Sequence, residues 1–316
     1  MAQIKHGIYI EQNPTSVIAP VVSDSAVQVV VGTAPVNLGD VDNVNKPVAT
    51  YSFDECRERL GYSDDFESYT LCECMDLSYR VFNVSPVVFI NVLNPEKHKS
   101  EKTDIAITAS DQKVVLPEKG VLLSTIVLKG TGKDLEKEKD YTVSFQDDGL
   151  AIIVLNEVTE NLTVSYSILN PSAVTEDDIL EGIERVRNVY PTLTVTPCIL
   201  LAPGWSQKVA VGKALLAKTQ KLNGMFHCMA YLDVDCAEAD DYQKVVGWKN
   251  KNYIDKNAYV LWPMQAIGEK IYHLSSVAGA LTASTDASHG GNPATSPSNQ
   301  ICNATAAVLE DGTEVV

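Results

Sequence analysis

Hydrophobic and polar positions change rhythm several times along the chain, and each rhythm predicts a different kind of element. Ile4-Lys5-His6-Gly7-Ile8-Tyr9-Ile10 alternates, as a strand with one wet face does. Ala26-Val27-Gln28-Val29-Val30-Val31-Gly32 is instead an almost unbroken apolar run, of the kind buried on both faces in a parallel or mixed sheet. Between them Pro14 and Pro20 interrupt regular pairing, because proline lacks the ladder donor and pushes its predecessor toward extended geometry. The first strand is therefore tethered to the core by a linker, and a tethered strand is a candidate for pairing with another subunit's sheet edge.

From residue 26 to 95 the pattern reads strand, asparagine-rich polar loop, helix, strand. Ser52, with a carboxylate three residues on, predicts a helix N-cap. Leu71, Cys72, Met75, Leu77, Tyr79 and Phe82 predict a mostly apolar helix over 68–82, and the run 86–92 predicts a buried strand. A right-handed crossover lays two such strands parallel. Residues 100–172 change character to short β-rich runs at 104–109, 113–116, 124–129, 141–145, 150–155 and 162–169, separated by charged or Gly/Asp turns. From Thr175, which with Asp178 frames a helix N-terminus, helix and strand alternate again: strands at 193–202, 225–234 and 259–262, helices at 206–220, 237–248 and 274–283. Asp311-Gly312 predicts a closing hairpin.

The expected fold is α/β: a mixed, doubly wound sheet core with an inserted small all-β domain and an extended N-terminal arm. The expected division is 1–20 for the arm, 21–98 with 173–316 for a discontinuous core domain, and 99–172 for the inserted β domain.

Composition narrows the function. A length of 316 residues and 45% hydrophobic content fit ordinary globular cores. No run approaches the ~18 apolar residues of a spanning helix, and nothing at the start resembles a signal peptide, so a chain made and kept in a cytoplasm is expected. A formal charge of -16 disfavours nucleic acid and anionic membrane surfaces as direct partners.

Candidate chemistry is sparse. The seven cysteines include the pair Cys72-Glu73-Cys74, which lacks the C-x-x-C spacing of redox and zinc sites. Lys129-Gly130-Thr131-Gly132-Lys133 lacks phosphate-loop spacing and reads as a turn between strands. Ser206 falls at a predicted helix start, where capping accounts for it. Asp233, Asp235, Glu238, Asp240 and Asp241 lack the order of a calcium loop and suit a helix N-terminus. His227 lies beside Cys228 in a predicted buried strand, where adjacent residues face opposite ways, and reads as a packed histidine. No catalytic, cofactor or metal residue is expected, and the chain is not expected to be an enzyme. The competing readings are an α/β enzyme with a β insertion and a surface carbohydrate- or receptor-binding module on residues 100–172.

Three stretches carry a family resemblance: His6-Gly7-Ile8-Tyr9-Ile10-Glu11 with Val30-Val31-Gly32-Thr33-Ala34-Pro35; Ala202-Pro203-Gly204-Trp205-Ser206 with Tyr231-Leu232-Asp233-Val234; and Ser296-Pro297-Ser298-Asn299. In these, and in its layout over nearly the whole chain, the sequence resembles the tail sheath proteins of contractile phages and phage-tail-like bacteriocins. The resemblance implies a structural subunit that polymerises as stacked hexameric rings around an inner tail tube, on a baseplate, and shortens to drive the tube through a target envelope. It implies assembly in a bacterial cytoplasm, within a phage virion tail or a phage-tail-like particle, with no cofactor, no nucleic acid and no direct membrane insertion. It further implies that the arm, through Ile4, His6, Ile8, Tyr9 and Ile10, adds a strand to a neighbour's C-terminal domain. Family members continue past the Ser296-Pro297-Ser298-Asn299 region into that domain, so the chain is expected to lack it and to be largely monomeric.

Overall fold

The computed structural model describes residues 21–22, 24–130, 133–157 and 161–315. Its largest sheet has six strands in the order Ala258–Leu261, Met229–Asp233, Ile199–Leu201, Gln28–Gly32, Val87–Asn91, Pro47–Thr50. All neighbours are parallel except Pro47–Thr50, which runs antiparallel at one edge. The expected parallel pairing of the first two apolar runs is present, with Val29 opposite Val88 and Val31 opposite Ile90. The expected strand at 193–202 is shorter: Val189–Leu193 is helical, and pairing begins at Ile199. Pro47–Thr50 replaces part of the expected polar loop, with its proline at the first strand position, where the missing donor is tolerated.

Because successive strand residues face opposite ways, this sheet feeds two cores. Val29, Val31, Val88, Ile90 and Leu232 pack with Ile179, Ile183, Leu215 and Trp248 on one face. Val30, Val87, Phe89, Ile199 and Leu201 pack with Leu71, Met75 and Ala283 on the other. Helices Glu176–Glu184, Val209–Thr219 and Tyr242–Asn252 thus contribute to the first face, and helices Leu71–Asp76 and Leu274–Ser288 to the second. Each fully buried aliphatic side chain contributes on the order of 1.5–3 kcal/mol. Close approach is required at Gly182, where a Cβ would lie 2.8 Å from Val31 Cγ1 and 2.5 Å from Val92 Cγ1.

Helix boundaries follow their caps. Thr175 and Asp178 form a full capping box at the start of Glu176–Glu184. Ser52 accepts from the Glu55 amide and starts Phe53–Leu60. The helix expected at 237–248 begins instead at Tyr242, because Asp235 holds 237–238 in a turn and Asp241 is the residue that caps, accepting from the Gln243 amide. The helix expected over 68–82 is α-helical only through Leu71–Asp76 and continues as a π turn, Leu77–Val81.

Residues 99–169 form two antiparallel sheets with their own apolar cluster, in which Val114, Leu128, Tyr141, Ile153, Val164 and Tyr166 are buried. The first sheet is ordered Tyr141–Phe145, Ala151–Leu155, Lys113–Val115; the second Lys99–Ile107, Leu162–Leu169, Val127–Gly130, Lys133–Asp134. Lys129 pairs with Asp134 and Gly130 with Lys133, so the glycine-rich stretch joins two strands, as expected. The chain leaves and re-enters the helix-flanked region side by side: Lys99 pairs with Leu169, and the Asn170 amide donates to the His98 carbonyl at 2.9 Å.

A small antiparallel sheet, Lys270–Tyr272, Met264–Ile267, Ala306–Val308, was not foreseen in its first two strands. The hairpin at Asp311-Gly312 is present, with the Leu309 amide donating to the Thr313 carbonyl at 2.8 Å. The molecule is therefore a mixed α/β protein with parallel and antiparallel sheets. No helix among the described residues is long and apolar enough to cross a membrane.

Candidate functional site

The arm residues Ile4, His6, Ile8, Tyr9 and Ile10 lie outside the described residues. The chemistry that can be described gathers where parallel strands end, at the carboxyl side of the six-stranded sheet, a usual position for sites in α/β sheets. Three carboxylates, Glu73, Asp76 and Asp233, are almost fully buried there. All three turn toward one short stretch, 270–276, which joins the small sheet to helix Leu274–Ser288.

Asp233 ends its strand and accepts three hydrogen bonds: from the Ser206 hydroxyl at 3.0 Å, the Ser275 amide at 2.9 Å and the Ser275 hydroxyl at 2.6 Å. Because Ser275 lies in the first turn of helix Leu274–Ser288, Asp233 caps that helix from a distant strand, matching its negative charge to the helix's positive end. Glu73 receives the Ser276 hydroxyl on one oxygen and faces His273 Nδ1 at 2.9 Å with the other. The Cys74 thiol donates to Ser276 Oγ at 3.2 Å. Asp76 accepts from the Tyr272 hydroxyl at 2.6 Å, Arg80 Nη1 at 3.1 Å and Lys270 Nζ at 3.3 Å.

His273 is the one group here whose charge state sets the chemistry. Burial pulls its pKa down, but the adjacent Glu73 carboxylate, its hydrogen bond and the charges of Asp233 and Glu310 outweigh this and raise it to about 9. At neutral pH the ring is an imidazolium that donates and cannot serve as a base. Ser206 is no better placed for attack. It is fully buried, its proton goes to Asp233, and its oxygen already accepts the Asp233 amide at 2.9 Å. Burial also pushes the Cys72 and Cys74 thiols well up, which suppresses the nucleophilic thiolate. The arrangement fastens chain segments rather than activating a nucleophile.

A cleft of about 630 Å³ opens beside this seam, walled by Glu73, His273, Glu310, Trp205 and Lys208. Lys208 Nζ sits 4.2 Å from the Trp205 ring centroid. Trp205 Nε1 and Gln207 Oε1 are shielded from solvent without a hydrogen-bond partner.

Two sequence expectations need correction. Ser206 does not cap a helix: helix Val209–Thr219 follows Lys208, and the serine serves the buried seam. His227 is not packed in a strand: it is exposed, one residue ahead of buried Cys228, and pairing starts at Met229. The acidic residues 235–241 are engaged in turns, the cap and pairs such as Asp240 with Lys244 at 2.5 Å and Glu238 with the Trp248 indole at 2.8 Å. Among the described residues no group of three or more His, Cys, Asp or Glu side chains is placed to hold a metal ion. Glu73, His273 and Ser275 were missed by sequence reasoning. The available signal was a glutamate inside the otherwise apolar run Leu71-Cys72-Glu73-Cys74-Met75.

The edges of the central sheet differ as docking sites for an added strand. At Pro47–Thr50, Arg59 Nη1 donates to the Ala49 carbonyl and the Tyr79 hydroxyl to the Thr50 carbonyl, both at 2.7 Å. Among the described residues Ala258–Leu261 pairs only with Met229–Asp233, and Tyr259 on it is exposed. No family model matches the chain, and no curated protein matches it.

Proposed function

We propose that this chain is a structural subunit of a contractile tail sheath, polymerising around an inner tube and shortening to drive that tube through a target envelope. The observation that carries the reading is the convergence of separate resemblance-bearing stretches. The Gln28–Gly32 strand, which contains Val30, Val31 and Gly32, pairs with Ile199–Leu201, and that strand pairs with Met229–Asp233. Ser206 of the Pro203-Gly204-Trp205-Ser206 segment then bonds Asp233 of the Tyr231-Leu232-Asp233-Val234 segment. Stretches far apart in sequence thus build one sheet and one buried seam.

In this reading 21–98 and 173–316 are one discontinuous, doubly wound domain, and 99–172 is an inserted β domain. The adjacency of His98 and Lys99 to Leu169 and Asn170 supports an insertion at a single point. The arm at 1–20 donates a strand to a neighbouring subunit, and the particle is a phage tail or phage-tail-like particle assembled in a bacterial cytoplasm. The buried seam supports a mechanical role over a catalytic one, since its hydroxyls and imidazolium are committed to carboxylates.

Electron microscopy of this protein coexpressed with an inner-tube partner tests the proposal. Regular helical tubes are expected, and discrete soluble particles would overturn it. Removing residues 1–14 is expected to preserve the fold and abolish stable sheaths; normal sheaths from that deletion would sink the strand-exchange role.

A further inference from the structure

The chain's negative charge is unevenly spread. A groove of about 950 Å³ runs between the helix Phe53–Leu60 side of the molecule and the β-rich region, and it is lined by Asp54, Glu58, Asp64, Asp65, Asp147 and Asp148 against Arg57 and Lys119, with Asp64 also held by Lys270 at 2.7 Å and the other five outnumbering the lining cations. Leu38 and Tyr69 add apolar surface to it, and Asn37 on its wall has an amide whose nitrogen and oxygen are both shielded and unpartnered. At the other side of the sheet, residues 242–256 hold four lysines, Lys244, Lys249, Lys251 and Lys256, against Asp255 alone. Lys244 is paired with Asp240, whereas the other three have no carboxylate partner among the described residues. The same segment exposes apolar side chains, with Ile254 81% and Val246 64% accessible.

The groove follows the Pro47–Thr50 edge in sequence and the lysine segment precedes the Ala258–Leu261 edge, at the two ends of the six-strand order. Five interstrand steps separate those edges by about 24 Å, so the two surfaces do not meet within one molecule. We propose that the acidic groove receives the lysine-rich segment 242–256 of a second copy of this chain. The contact is head to tail, so it repeats: each copy presents a free groove at one side and a free lysine segment at the other, closing into a ring or continuing as a helix. Charge complementarity sets the register and the approach, and Ile254 and Val246 supply apolar contact against Leu38 and Tyr69.

Sedimentation of this chain over a concentration series at low and high salt, with zero-length carbodiimide cross-linking read by mass spectrometry, tests the contact. In place of the largely monomeric chain expected from the sequence, concentration-dependent association at low salt that dissolves at high salt is expected, with cross-links between lysines 249–256 and the groove carboxylates. Lys249→Glu, Lys251→Glu and Lys256→Glu together are expected to weaken association ~100-fold, and adding Glu58→Lys, Asp147→Lys and Asp148→Lys to that same chain to restore it. Circular dichroism confirms that each variant is folded. A wild-type chain monomeric at every concentration in low salt would overturn the proposal, as would lysine variants that associate undiminished, cross-links elsewhere, or a doubly reversed chain that stays apart. The contact deepens the proposed assembly but stands on the charge and apolar layout of these two surfaces, not on the sheath reading. Tubes formed on an inner-tube partner by the protein carrying only the lysine reversals would refute the contact and leave the sheath reading intact.

Discussion

Strand Val87–Asn91 is buried at every residue, whereas strand Ala151–Leu155 alternates between buried and half-buried positions. The first lies in a sheet covered by helices on both faces, the second in a region whose antiparallel sheets keep one face toward solvent. The difference concerns how stability is distributed. In the central sheet each side chain is shared between strands and a helix layer, so a defect there reaches both cores. The β-rich region has its own cluster, entered and left at adjacent residues, so its defects can stay local.

The comparison breaks most directly through large-to-small substitutions. Phe89→Ala is expected to cost about 3–5 kcal/mol and to lower the unfolding midpoint of the whole chain in a denaturant titration. Ile153→Ala, equally buried, is expected to cost about 2–4 kcal/mol but to raise amide exchange in 99–169 while 28–32 and 87–91 stay protected. Uniform loss of protection would show that the two regions unfold as one.

The seam sharpens the contrast through pH. His273 is raised from 6.5 to about 9, so its contribution is fully present below about 6.5 and is lost as pH rises through about 9. That shift corresponds to roughly 3 kcal/mol of linked stability. Thermal unfolding between neutral pH and pH 10 is expected to show the loss, and Glu73→Gln to be less stable at neutral pH with a flatter profile.

Asp178 sits where the regions join, bonded to Lys97 and 3.3 Å from His98 Nε2. Burial opposes its ionisation, yet hydrogen bonds from Lys97 and Thr175 prevail and hold its carboxyl well below the usual range. A depressed pKa means that its contribution holds above about pH 4 and fades as pH falls. Asp178→Ala is expected to cost about 1–2 kcal/mol and to raise exchange at 97–99 and 170 first. The smallest effect belongs to the edge strand: Tyr259→Ser, which removes an edge-on ring contact with Tyr231 at 5.0 Å, is expected to cost about 0.5–1 kcal/mol.

Much of the fold was legible because its signals are local. The capping box at Thr175 and Asp178 spans four residues, and Leu162–Leu169 announces itself by alternation. Pro47 hid an edge strand because proline usually marks a break. Strands of three and four residues around Gly268 carry too few positions for a period to emerge. The seam was illegible for a different reason. Asp233 and Ser275 are 42 residues apart, Glu73 and Ser276 203 apart, and no spacing rule links such pairs before the sheet brings them together.

The seam also sets how the molecule carries load. Tyr272, His273, Ser275 and Ser276 are anchored side by side to Asp76, Glu73 and Asp233, on two different parts of the α/β region. Tension applied through the small sheet at 264–272 would divide among these bonds in parallel instead of peeling them in turn. The joint would therefore stay stiff up to a threshold and then give way all at once, as a rivet line does and a zipper does not.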